Sequence, residues 1–293
     1  MKVNKAVILA AGKGTRFMPY TKSMPKEMLA VIDKPALEII IEEVIQAGIS
    51  DIAVIISHEK EMVAKYFERD EQLQRQMESL GRGEYLESLN KIFDSAKITF
   101  FYQEIPNGTA RAVALAKEWA DNQPFVVCNG DDVILNEDAS VAKQLADAYE
   151  QVGASIIGVQ PVSRQDIVKY ASTKIIRSDG RLHLLEDIIE KPQKEEDIYS
   201  LLAPLGRYVV TADMFDYMDM TAENGKGELV LTDVLRTLMH NKPVYAYDFA
   251  GRRHDFGDKL GYIKGFTDYA LHDERFAAAY KQYLTELLNK NNN

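Results

Sequence analysis

The chain has almost no cysteine, no long apolar run and a shortage of positive charge, and each lack removes a class of protein. Its single cysteine, Cys128, has no partner for an internal disulfide. Its place in the apolar run Phe125-Val126-Val127-Cys128 marks a buried core thiol rather than a nucleophile. No stretch approaches the roughly 20 apolar residues that span a bilayer. The apolar run at residues 6–11 is too short for a signal-peptide core with its cleavage site, so a soluble, cytoplasmic protein is expected. Lysine and arginine number 35 against 45 aspartates and glutamates, a formal net charge of -10. Such a field repels nucleic acid and anionic membranes, so neither is an expected partner, and any phosphate ligand needs a local cluster of cations. No repeat, Pro-rich linker or low-complexity tract divides the chain, and a single domain over residues 1–293 is expected.

What is present is a rhythm. Short β-branched runs alternate with longer amphipathic stretches: a strand around residues 5–10, a helix from Pro35 to a stop at Gly48, a strand near 52–57, a helical tract over 59–93, and a strand near 98–102. This βαβα order predicts an α/β fold, Rossmann-like, with a mixed, mainly parallel central sheet flanked by helices. Beyond Val159 the pattern changes: 173–177, the turn Ser178-Asp179-Gly180 and 182–189 read as a hairpin, a small antiparallel insertion. Further strands are expected at 205–210 and 244–249, and residues 261–293 read as C-terminal helices with a polar end.

The segment Ala10-Ala11-Gly12-Lys13-Gly14-Thr15-Arg16 follows the first buried strand. A glycine-rich turn there lets backbone N–H groups approach phosphate oxygens. The dinucleotide fingerprint would need glycine where Phe17 stands, and the Walker loop a Gly-Lys-Ser/Thr ending that Gly14-Thr15-Arg16 does not supply. Arg16 and Lys26 each read alone as solvated surface cations. Together, just after the turn, they place positive charge where a triphosphate would lie.

These strings, with Pro25-Lys26-Glu27-Met28-Leu29 and Asp33-Lys34-Pro35, are similar to the bacterial UTP–glucose-1-phosphate uridylyltransferase family of sugar-nucleotide pyrophosphorylases. The likeness continues in order through Asp131-Asp132-Val133, Glu190-Lys191-Pro192, Gly206-Arg207-Tyr208, 228–233 and 254–262. The resemblance implies a nucleotide-binding half over 1–135 and a sugar-binding half over 155–260. It implies that Ala10, Ala11, Gly12, Gly14, Thr15, Glu27, Gln103, Gly108 and Asp132 hold the nucleotide, and that Arg16 and Lys26 embrace its phosphates. Tyr170, Ala171, Glu190, Lys191 and Gly206 would hold the sugar, Lys191 neutralising its phosphate. Asp131 and Asp255 would bind magnesium, a hard cation that takes oxygen ligands and bridges phosphates. The implied reaction joins UTP and glucose 1-phosphate into UDP-glucose and pyrophosphate, in a homodimer or homotetramer. Taken singly, Asp131 reads as a turn former, Glu190-Lys191 as an exposed ion pair and His254 as a structural histidine.

The family pattern is broken where Gly108-Thr109-Ala110-Arg111-Ala112 places Arg111 at the expected edge of the base pocket, and where Ala171 adds a methyl at the sugar site. Asn129-Gly130 stands in place of the family's Leu-Pro before the aspartates, where related transferases also carry Gly-Asp. The departures leave two alternatives open: the same chemistry with dTTP or another hexose 1-phosphate, and a non-catalytic paralogue that binds a nucleotide sugar and regulates.

Overall fold

The computed structural model describes residues 2–136, 138–220 and 227–291. Among them are thirteen strands: β1 Lys5–Leu9, β2 Ala30–Val31, β3 Lys34–Pro35, β4 Asp51–Ile56, β5 Lys97–Tyr102, β6 Phe125–Asn129, β7 Asp132–Leu135, β8 Ser155–Pro161, β9 Ala171–Asp179, β10 Leu182–Glu190, β11 Leu202–Val210, β12 Val244–Asp248 and β13 Arg252–Asp255. Nine form one sheet in the order β5-β4-β1-β6-β11-β8-β12-β10-β9. Only β11 and β10 run against the others.

The helices are α1 Ala36–Gln46, α2 Glu61–Tyr66, α3 Glu71–Ser79, α4 Glu87–Ser95, α5 Thr109–Ala114, α6 Lys117–Ala120, α7 Val141–Val152, α8 Leu231–Met239, α9 Lys259–His272 and α10 Ala277–Asn291. Alternation along the strands sends Ala6, Ile8, Val54, Val126 and Cys128 into a core under α1 and α7. It sends Val7, Ala53, Ile55, Phe125 and Val127 into a second core beneath α5 and α8. Covering both faces is what permits strands apolar on both sides. Burial pushes the Cys128 thiol up to about 12, which leaves it inert.

Two expectations change in detail. The antiparallel hairpin is joined to the main sheet, because β10 pairs with β12 and makes the hairpin its far edge. The tract 59–93 is three helices, because Asp70 caps a new one, its Oδ1 accepting from Leu73 N–H at 2.9 Å, and Gly81 then takes φ 66. The last two residues of the expected C-terminal segment, 292–293, lie outside the described ones. No helix among the described residues is long and apolar enough to cross a membrane.

Strand β1 lies between β4 and β6, so the chain leaves it in one direction and later returns on its other side. Loops at the carboxyl ends of such neighbours diverge and leave a crevice. Beside that crevice Arg207 of β11 is fully buried. Its Nε and Nη2 donate to Glu43 of α1 at 3.0 and 2.7 Å, and its remaining N–H groups reach the carbonyls of Gly206 at 3.0 Å and Asp132 at 2.8 Å. Glu43 also accepts from Ala142 N–H at 3.2 Å, so one pair ties β11, α1, α7 and the turn after β6. Arg207→Met leaves Glu43 buried without its charged partner and is expected to cost about 3–5 kcal/mol in urea unfolding. Arg207→Met with Glu43→Leu should recover much of that loss; a single variant losing less than about 1 kcal/mol would contradict this role.

Candidate active site

The crevice opens into a cleft of about 1170 Å³ at the carboxyl ends of β1 and β6. Ala11, Gly12, Arg16 and Lys26 line it from the segment after β1, and Asn129, Asp131 and Asp132 from the turn after β6. Tyr170, Ala171, Glu190, Lys191 and Gly206 also line it, with Gln103, Gly108 and Thr109. Arg253 and Asp255 complete it from β13.

The two-stranded ladder of β7 and β13 explains how distant carboxylates meet. It sets Asp255 opposite Asp132, and Phe256 N–H bonds to the Asp131 carbonyl at 2.7 Å. Lys26 pairs with Asp131 directly. Burial works to raise the Asp131 pKa, but Lys26, Arg253 and Arg16 outweigh it and hold the carboxylate below its ordinary value. Burial would lower Lys26, yet Asp131 and Glu27 hold it above its ordinary value. Asp255 is raised by burial, only partly offset by Arg253, with Asp132 and Asp131 pushing the same way.

A fit for a divalent cation can be tested beside Gly257. A Cβ built there would stand 2.7 Å from Asp131 Oδ2, 2.9 Å from Asp255 Oδ1 and 3.0 Å from Arg16 Nη2. Two carboxylate oxygens thus border one small space next to a phosphate-binding type of cation. One or two carboxylates plus phosphate oxygens suit magnesium, so the residues fit that ion.

Several expected residues fall outside the lining. Ala10 is fully buried in the core, and Gly14 and Thr15 turn away with the loop. Glu27 is buried beneath the loop and bound to Lys60 at 2.7 Å, because its short 3-10 turn points it inward while the preceding Lys26 faces the cleft. Gly206 lines the cleft but serves a carboxylate: its φ is 71°, and a Cβ there would fall 2.0 Å from Asp132 Oδ2. Gly108, at φ 123°, admits the Leu229 carbonyl, which a Cβ would meet at 2.1 Å. Arg111 is not in the cleft lining; it donates to the carbonyls of Asn107 at 3.1 Å, Met220 at 3.1 Å and Gly227 at 3.3 Å. His254 is buried 3.1 Å from Asp268 of α9, a structural contact.

Lys191 has φ 48°, uncommon for a residue with a side chain, and stands 3.3 Å from Glu190 Oε1. Its N–H donates to the Tyr170 carbonyl at 2.8 Å, which joins the two ends of the hairpin. Sequence reading missed Arg253, whose Nε reaches Asp132 Oδ1 at 2.5 Å and whose Nη1 reaches the Tyr170 hydroxyl at 2.8 Å. The strand periodicity that puts residues 253 and 255 on one face was the available signal.

The nucleotidyl transferase family model matches residues 5–271. A UTP–glucose-1-phosphate uridylyltransferase of Staphylococcus epidermidis (strain RP62A) is 38% identical over 98% of this chain and 99% of its own. One of Bacillus subtilis (strain 168) is 39% identical over 99% and 98%. Among solved structures, a UTP-bound UGPase from Acinetobacter baumannii superposes with a TM-score of 0.89 at 29% identity, covering 97% of this chain and 99% of that one. A UDP-glucose pyrophosphorylase complexed with UDP-glucose gives 0.84 at 31% identity, with 92% and 100% covered.

Gly257→Ala places a methyl among the ends of Asp131, Asp255 and Arg16. These side-chain ends can shift, so the melting temperature is expected to stay within about 3 °C. Magnesium-dependent nucleotide affinity should fall by roughly tenfold in calorimetric titration. Unchanged affinity would show that the three groups do not act together.

Proposed function

The chain belongs to the nucleotidyl transferase family, in the branch of the UTP–glucose-1-phosphate uridylyltransferases, and on that premise we propose that its cleft converts UTP and glucose 1-phosphate into UDP-glucose and pyrophosphate. The observation that carries this reading is that Arg16 and Lys26, from the segment after β1, and Lys191, just after β10, line one cleft together with Asp131 and Asp255.

The chemistry follows from charge. A phosphomonoester with its second pKa near 6 is mostly dianionic at neutral pH, so its oxygen attacks without a general base. A bond forms between that oxygen and the α-phosphorus of UTP, the α–β bridging P–O bond breaks, and pyrophosphate leaves with the electron pair. Repulsion is the obstacle: two unit charges about 4 Å apart cost roughly 4 kcal/mol at an effective dielectric near 20. Arg16 and Lys26 offset it at the nucleotide phosphates, and Lys191 at the sugar phosphate. Glu190 accepts from sugar hydroxyls, as a carboxylate can from several donors at once. Ala11, Gly12, Gln103 and Gly108 face the nucleotide end, and Tyr170 and Ala171 the sugar end. Asp131 and Asp255 would hold magnesium, which supplies charge stabilisation at the phosphate oxygens.

The same reading makes the protein a cytoplasmic homo-oligomer. Exposed Ile263 on α9 and Tyr283, Leu287 and Leu288 on α10 support an interface there.

Purified protein with UTP, glucose 1-phosphate and magnesium is expected to release pyrophosphate, and Asp131→Asn to lose at least about a hundredfold in kcat with its fold retained. Parallel assays with dTTP and other hexose 1-phosphates measure the substrate choice. The methyl of Ala171, which lines the sugar end, gives the regulatory alternative its footing. UDP-glucose binding without pyrophosphate release would establish that alternative and overturn the enzymatic one.

A further inference from the structure

Lys60 sits behind the loop that follows β1, outside the lining of the cleft. It is 6% exposed, and lysine is almost never so buried unless it is paired. Its Nζ donates to the carbonyls of Ala10 at 2.6 Å and Gly12 at 2.7 Å, and to Glu27 Oε2 at 2.7 Å. An ammonium has three donors, so this set uses them all.

The consequence lies in the peptide plane. A trans peptide points its C=O and the following N–H in opposite directions. Turning the Ala10 and Gly12 carbonyls onto Lys60 therefore turns the amides of Ala11 and Lys13 away from it. Ala11 and Gly12 line the cleft and Lys60 does not, so away from Lys60 is toward the cleft. Neither amide donates to a protein acceptor among the described residues.

The counter-ion belongs to the same device. Glu27 follows Lys26 in one short turn, Lys26–Met28. That turn sends Lys26 forward to Asp131 and Glu27 backward to Lys60, so a single segment ties the loop after β1 to the turn after β6. A buried ion pair adds little net stability, and Glu27 Oε1 is buried with no hydrogen-bond partner among the described residues, so what this pair contributes is the geometry it fixes through Oε2 and the two carbonyls.

We propose that Lys60, with Glu27 as its buried counter-ion, is a positioning residue for the nucleotide: it holds the carbonyls of Ala10 and Gly12 to the rear so that the amides of Ala11 and Lys13 face the acceptor oxygens of the bound nucleotide. The proposal rests on the uridylyl-transfer reading of the cleft. Lys60 touches no reacting atom and acts through the loop alone.

The test is Lys60→Met in steady-state kinetics, with KM for UTP and for glucose 1-phosphate measured separately. KM for UTP is expected to rise at least about tenfold while KM for glucose 1-phosphate changes less than about threefold. A merely structural role would move both together or neither, and either result overturns the proposal. Should Lys60→Met fail to fold, Glu27→Gln decides: it keeps both carbonyl bonds, and a smaller rise confined to UTP is expected. Wild-type protein is assayed beside the variants with UTP, dTTP and ATP. If wild type prefers another triphosphate, the substrate reading fails while the selective rise is still expected for that nucleotide. If wild type turns over none of them, the calorimetric Kd for UTP replaces KM, and an unchanged Kd in the folded variant overturns the proposal.

Discussion

Anions have to meet in a protein that is itself an anion. With a net charge of -10, the chain offers no general attraction to a phosphate ester or a triphosphate, so everything depends on where its few cations stand. Arg16, Lys26 and Lys191 face one cleft, the first two from the segment after β1 and the third from the end of the hairpin. Carboxylates share the cleft with them. Asp131 fixes Lys26, and Asp255 stands with Asp131 around the space beside Gly257, where a divalent ion would add charge of the needed sign.

Three further cations, Arg207 and Lys60 buried beneath the cleft and Arg253 in its lining, are each bonded to a carboxylate and to other polar groups of the cleft wall. Arg207 binds Glu43 and the carbonyls of Gly206 and Asp132. Lys60 binds Glu27 and the carbonyls of Ala10 and Gly12. Arg253 binds Asp132 and the Tyr170 hydroxyl, with its guanidinium 5.2 Å over the Tyr170 ring. Burying a charge pair contributes little stability against a well-packed apolar alternative, so such pairs are poor structural glue. Their common effect here is directional: each holds a stretch of wall backbone or a wall side chain in one orientation.

Much of the fold was legible because parallel strands covered on both faces read as continuous apolar runs, and helices announce their ends. Pro35 and Gly48 bracket α1, and Asp179-Gly180 turns the β9–β10 hairpin. The glycine-rich loop, Arg16, Lys26 and the Glu190-Lys191 pair were legible because they follow strand ends in short motifs. Other features were not, for physical reasons. Arg253 meets Asp132 across 121 residues, and only the pairing of β7 with β13 makes them neighbours. Lys60 opens what reads as an amphipathic helix, and nothing local shows that its ammonium turns inward. Glu27 and Lys26 are adjacent in sequence yet face opposite sides of the loop, a division that a 3-10 turn sets and hydrophobic periodicity does not encode. Arg111 sits in a motif that predicts the cleft edge, but its donors reach the carbonyls of Asn107, Met220 and Gly227.

The most direct measurement of the charge-gathering account is a crystal structure of the protein with UDP-glucose and magnesium. The account predicts the diphosphate between Arg16, Lys26 and Lys191, with the metal ion on Asp131 and Asp255. A diphosphate seated away from those three cations, or a metal held by other residues, would contradict it.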